Sequence, residues 1–109
     1  MAPEVIRHEP YGEAADVYSY GVVLWEILTR RQPFQSLTPI QAAFAVAREG
    51  RRPQLPPNAP SAFAALIHRC WHQIADKRPS FSQVCDELPA VKVQALNHAA
   101  NSVKNAANA

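Results

Sequence analysis

Between Ala14 and Thr29 the chain places Val17, Tyr18, Tyr20, Val22, Val23, Leu24, Trp25, Ile27 and Leu28 on nearly every face of a helical wheel. A helix that is apolar all round belongs in the middle of a structure, packed from several sides. A buried strand is the competing reading of Val22 to Leu28, and the length of the run decides for helix. A second helix starts at Thr38, with Pro39 in its first turn and Gln41 completing a capping box. Ile40, Ala43, Phe44 and Ala47 follow helical spacing as its apolar face, and Gly50 ends it. From Pro53 to Pro60 four prolines remove backbone donors and fix φ, which predicts a stiff, extended surface loop. Ser61 then caps a third helix facing inward with Phe63, Leu66, Ile67, Cys70 and Trp71. Ser80 and Gln83 form another capping box, opening a fourth helix with Phe81, Val84, Cys85 and Leu88 inward. Past Pro89 the chain turns to Ala and Asn, and residues 97–109 are expected to be a frayed or disordered tail. The predicted fold class is all-α: a central buried helix with three surrounding amphipathic helices.

Composition changes this picture little. Hydrophobic residues make up 48% and charged residues 18%, which suits a globular interior. A net charge of +2 is too small to argue for nucleic acid or an anionic membrane. The pairs Arg30-Arg31 and Arg51-Arg52 read as solvated surface. Val17 to Leu28 contains Glu26 and is too short to span a bilayer, and the N-terminus has no signal-peptide pattern. Cys70 and Cys85 have no framework spacing, and both fall on apolar helix faces where a thiol acts as a small hydrophobe. A soluble protein in a reducing, cytoplasmic compartment is expected, without a membrane span.

Two chemistries are weighed against plain structure. His68, Cys70, His72 and Cys85 are zinc-capable residues in a short span. However, His68 and His72 share a helix face while Cys70 points nearly opposite, so structural roles are preferred to a metal site. Ser19 lies within a helix and lacks a Gly-x-Ser-x-Gly elbow, which argues against a hydrolase.

Specific words carry more information than the periodicity. Ala2-Pro3-Glu4 matches the A-P-E signature that closes the activation segment of protein kinases. Asp16-Val17-Tyr18-Ser19-Tyr20-Gly21-Val22-Val23-Leu24-Trp25-Glu26 resembles the start of their central F helix. Pro33-Phe34 falls where a similar pair precedes their helix G. Cys70-Trp71 and then Arg78-Pro79-Ser80-Phe81 resemble their H-to-I segment. In this order, residues 1–88 resemble the C-terminal part of a protein kinase domain of the tyrosine-kinase-like group, leaving 89–109 as a tail. Leu37-Thr38-Pro39, Gln41-Ala42-Ala43 and Arg52-Pro53 look most like plant-type Raf-like kinases.

The resemblance implies a partial kinase C-terminal lobe. It pairs Glu4 with Arg78, and an Arg–carboxylate pair fixes geometry as well as charge. It makes Asp16 an acceptor of hydrogen bonds from the catalytic-loop backbone; read by itself, Asp16 is a first-turn acid compatible with the helix dipole. Trp25, Trp71 and Phe81 are read as core residues. Two departures stand out: Arg30 occupies a position often held by Gly, which implies an altered turn, and Ile74-Ala75 replaces a usual Asp-Pro pair. The glycine-rich loop, strand lysine, H-R-D loop and D-F-G aspartate that hold ATP and magnesium do not occur in the chain. No catalytic, cofactor-binding or metal residue is therefore assigned, and ATP and Mg belong to a parent protein. The reading is a fragment of a serine/threonine (or dual-specificity) kinase, inactive alone, with Met1 open between a true start and an internal residue. Its expected partners are the missing N-terminal part of the domain, and a protein substrate or regulator at helix G and the proline-rich loop. The alternative is a non-catalytic, kinase-derived interaction module.

Overall fold

The structure, a computed structural model of the chain, describes the backbone of residues 1–107 and the side chains of residues 1–101. It contains α1 (Pro3–Ile6), α2 (Glu13–Thr29), α3 (Pro39–Arg48), α4 (Ser61–Cys70), a 3-10 turn (Ala75–Lys77) and α5 (Phe81–Ala107), with no strand among the described residues. The short α1, with Pro3 in its first turn, has no counterpart in the helices expected from periodicity.

The core runs between α2 and α4 and continues onto α5. Val17, Tyr18, Leu24 and Trp25 of α2 meet Leu66, Ile67, Cys70 and Trp71 near α4, with Val84 and Val91 from α5. Fully burying such side chains contributes about 1.5–3 kcal/mol each. Closest approach of α2 and α4 depends on Gly21: a Cβ there would lie 2.7 Å from the Cys70 Cβ. Only a hydrogen at this position lets the two backbones come together.

Several expectations about faces need correction. The α2 helix is not enclosed all round, since Asp16, Ser19, Val23, Glu26 and Ile27 form one exposed stripe. On α3 the buried residues are Ala45, Val46 and Ala47, while Ile40 and Phe44 are 83% and 58% exposed. Cys85 likewise faces solvent. The physical reason is thickness. The molecule measures 52 × 34 × 16 Å, and its thin dimension is little more than the ~10–12 Å diameter of one helix. Each helix can therefore bury only part of its apolar surface.

Local signals set most helix ends. Gln41 N donates to Thr38 Oγ1 at 3.2 Å and Thr38 N to Gln41 Oε1 at 3.0 Å, completing the capping box of α3. Ser80 and Gln83 do the same before α5, at 2.8 and 3.1 Å. Ser61 does not cap α4; it is the first helical residue, after Pro60. The Ala64 N–H donates to Pro60 O at 2.9 Å, and the Ala62 N–H to Gln94 Oε1, brought over from α5. The α5 helix continues through Pro89 to Ala107 rather than ending near Leu88. The expected frayed tail thus falls partly on helix, and residues 108 and 109 lie outside the described residues. Arg30 ends α2 at φ 56° and ψ 32°, so it adopts the left-handed cap that glycine favours rather than a different turn.

The proline-rich connector contains no helix, as its composition predicts, but it is not extended throughout: the Ala59 N–H donates to Pro56 O at 3.1 Å in a tight turn, and its first residues are strapped to α2. Trp25 Nε1 donates to Gln54 O at 2.9 Å, Pro53 is buried and Leu55 packs against the core.

Candidate functional site

The residues singled out by sequence separate into one assembled pair, Glu4 and Arg78, with Trp71 bordering it, and two positions apart from it, Asp16 and Trp25. Pro3 starts α1 and turns Glu4 inward, while Arg78 enters from the segment between the 3-10 turn and α5. Arg78 Nη1 donates to Glu4 Oε2 at 2.7 Å and Nη2 donates to Glu4 Oε1 at 2.9 Å. The same guanidinium donates to Ala14 O at 3.0 Å and, through Nε, to His72 O at 2.8 Å. Its side chain is wholly buried and that of Glu4 is 9% exposed. One cation thereby ties together α1, the first turn of α2 and the turn after α4.

The electrostatics follow from this geometry. Arg78 holds the Glu4 carboxyl below the ordinary carboxylate range, against burial, which acts in the opposite direction. Beneath the clasp lies Tyr18, 2% exposed, with the Arg78 Cζ 5.0 Å from its ring centroid. Burial raises the Tyr18 phenol, and the charges of Arg52 and Arg78 oppose that rise. A fully paired carboxylate and guanidinium of this kind have their donors and acceptors committed to structure. They fix the position of a segment and offer no free acid or base.

Asp16 stands in the first turn of α2 on the exposed stripe, apart from the clasp. Trp25 and Trp71 are buried; Trp71 lies edge-on to His68 with ring centroids 5.9 Å apart. Among the zinc-capable residues, Cys70 is buried and Cys85 exposed. His72 Nδ1 instead accepts the Ile74 N–H at 3.0 Å. Among the described residues no three His, Cys, Asp or Glu side chains converge on a common point. Burial pushes the Cys70 thiol up to about 11, leaving it protonated at neutral pH.

Sequence reasoning missed Arg52, Tyr18 and Gln73 as members of this site. Arg52 is half-buried rather than part of a solvated pair, and it donates to Trp71 O at 2.8 Å and to the Gln73 amide oxygen. These contacts span 19 and 21 residues, and no spacing rule reaches that far. Outside the core, a shallow hollow of about 690 Å³ lies where α1 packs against α3 and is lined by Ile6, Arg7, Glu9, Ile40, Phe44 and Arg48, among others. No helix among the described residues is long and apolar enough to cross a membrane.

Comparison with known proteins places this geometry in context. The model of the protein tyrosine and serine/threonine kinase family matches residues 1–88. The serine/threonine/tyrosine-protein kinase HT1 of Arabidopsis thaliana is 54% identical over 84 residues, covering 77% of this chain and 22% of that protein. The serine/threonine-protein kinase STY46 of Arabidopsis thaliana is 46% identical over 91 residues, covering 84% of this chain and 16% of its own length. A third relative from the same plant, the serine/threonine-protein kinase STY17, is 46% identical over 88 residues, 81% of this chain and 15% of the relative. The chain thus spans between 15% and 22% of the length of these relatives.

Proposed function

The chain belongs to the protein tyrosine and serine/threonine kinase family, and from that premise we propose that it forms the C-terminal, helical part of a Raf-like kinase domain of the plant type. The parent protein phosphorylates serine or threonine in protein substrates, and the similarity to a serine/threonine/tyrosine-protein kinase extends this to tyrosine. Within it, the Glu4–Arg78 clasp fixes the end of the activation segment on the helical subdomain, and Asp16 receives the catalytic loop. The observation that carries this reading is the bidentate, buried clasp, formed by the A-P-E glutamate and an arginine 74 residues away. Residues 1–88 supply the kinase part, and 89–109 follow it as a tail.

ATP and magnesium are assigned to the parent. Phosphoryl transfer depends on positioned phosphates and metal ions, and the motifs that hold them are not among these 109 residues. The paired Glu4 and Arg78 have no spare charge for a nucleotide, and the chain is inactive alone. The test is a transfer assay with magnesium–ATP and a protein acceptor. It compares the 109-residue chain with the longer protein read in frame upstream of the Met1 codon. The longer protein is expected to label serine and threonine and the short chain to label nothing. Transfer by the short chain that survives contaminant controls refutes the assignment.

A second reading, an interaction module, rests on Ile40 and Phe44, which stand exposed on α3 beside the hollow facing α1. Together with the connector they offer an apolar surface to a protein substrate or regulator in the cytoplasm. The short chain should then compete with the longer kinase for its substrate, and Ile40→Glu should abolish the competition without altering helicity. Equal competition by the variant removes this surface from consideration.

A further inference from the structure

The Glu4–Arg78 clasp has a neighbour that carries no counter-ion. The Arg52 guanidinium sits over the same Tyr18 ring as Arg78, its Cζ also 5.0 Å from the centroid. Among the described residues Arg52 has no carboxylate within ion-pair distance. Its acceptors are all neutral: Trp71 O at 2.8 Å, Arg51 O at 2.8 Å and the Gln73 amide oxygen. Half-burial and the like charge of Arg78 both act to lower its pKa. Such a cation is unfavourable unless a ring face and oriented carbonyls replace its water.

The placement of those acceptors is informative. Arg52 holds residues 71 and 73, while Arg78 holds the carbonyl of residue 72 between them. Gln73 in turn donates to Ala47 O at 3.4 Å, and Arg7, three residues after Glu4, donates to the same oxygen at 3.2 Å. The two guanidiniums therefore share a ring and a three-residue turn. Moving either one displaces groups that the other uses.

We propose that Arg52 is a positioning residue for the Glu4–Arg78 clasp: by holding the 71–73 turn and the Tyr18 ring, it fixes the seat of the Arg78 guanidinium. The connector that begins at Arg52 is thereby coupled to α1, although Arg52 and Glu4 share no hydrogen bond or ion pair. A partner that engages Arg52 or displaces Gln73 loosens Glu4. This coupling is a property of the chain itself and does not depend on phosphoryl transfer.

The experiment is a double-mutant cycle on the full chain, read by urea unfolding of wild type, Arg52→Lys, Glu4→Gln and the double variant. Lysine keeps the charge but cannot span Trp71 O and Gln73 together. The drop in the folding constant caused by Arg52→Lys should shrink by on the order of fivefold when Glu4 is glutamine. Equal drops in both backgrounds overturn the proposal, because a purely local packing role is additive. A second readout is the carboxyl titration of Glu4 by carbon NMR. Its midpoint should rise toward the ordinary range in Arg52→Lys and in Arg52→Met. A rise in the methionine variant alone shows that only charge is felt, and overturns the positioning role, as does no rise in either. If the Arg52 variants do not fold, Gln73→Ala removes one of the grips while leaving both cations. The Glu4 midpoint should rise there too, and an unchanged midpoint refutes the coupling.

Discussion

Replacing Glu4 with glutamine keeps the side chain's length and removes its charge, which isolates what the clasp contributes. In the wild type two charge-assisted hydrogen bonds, at 2.7 and 2.9 Å, join Glu4 to an Arg78 side chain that has no solvent exposure. Hydrogen bonds to charged groups contribute about 1.5–3 kcal/mol each. Glutamine retains one acceptor and turns an NH₂ toward a guanidinium that can only donate. Arg78 keeps its bonds to Ala14 O and His72 O, so part of its desolvation is still offset. The expected loss is about 3 kcal/mol, at the lower end of the roughly 3–5 kcal/mol for breaking a buried pair from one side. Against a total stability on the order of 5–15 kcal/mol, that is a large fraction.

Urea unfolding followed by the fluorescence of the buried Trp25 and Trp71 measures this directly, with far-UV circular dichroism to confirm helicity. A loss below about 1 kcal/mol at unchanged denaturant slope would refute the claim that the clasp fixes α1. The pH dependence supplies an independent check. Because Arg78 lowers the folded-state pKa of Glu4 from its ordinary 4.5, the clasp's contribution is complete above that value. It is lost as pH falls through the lowered folded-state value. The stability gap between wild type and Glu4→Gln should therefore narrow on acidification, and a gap that stays constant or widens contradicts the assignment.

Other substitutions probe the packing. Gly21→Ala should destabilise by about 1–3 kcal/mol through overpacking, despite alanine's better helix propensity. The clash is with the Cys70 Cβ itself at 2.7 Å, so Cys70→Ala should not rescue it, as double-variant melts will tell. Arg30→Gly should raise stability by about 0.5–1 kcal/mol in a thermal melt, because glycine relieves the left-handed φ of 56°; a loss of stability means that the Arg30 side chain has a compensating role. Alkylation near pH 8 should modify the exposed Cys85 and spare Cys70, whose buried thiol titrates near 11, until urea exposes both. Mass spectrometry counts the adducts, and two in the native protein contradict the burial.

Short-range chemistry was readable from the residues alone. Thr38 with Gln41 and Ser80 with Gln83 cap their helices because both partners lie within one turn and need nothing else. The all-helical class, the non-helical connector and the inward residues Leu66, Ile67, Cys70 and Val84 follow from spacing and proline content in the same way. Amphipathic pattern was less reliable for Ile40, Phe44, Val23 and Ile27, because it states what could be buried, and burial requires a neighbour on that side. In a body 16 Å thick some apolar faces have none. Ser61 shows the converse case: α4 starts one residue early, so the Ala64 N–H that Ser61 would have capped donates to Pro60 O at 2.9 Å, and α5 delivers Gln94 to the Ala62 N–H.

The kinase-like words in the sequence named Glu4 and Arg78 as partners, and their identities limited what such a pair could do. Nothing in the order of residues, however, placed Arg52 against Tyr18 or set it across the 71–73 turn from Arg78. Sequence determined the four longer helices, the Thr38 and Ser80 caps and the charged residues available, since each depends on neighbours within a few positions. Tertiary structure alone decided which faces are covered and which cations share a ring, because those contacts depend on how segments far apart in the chain pack together.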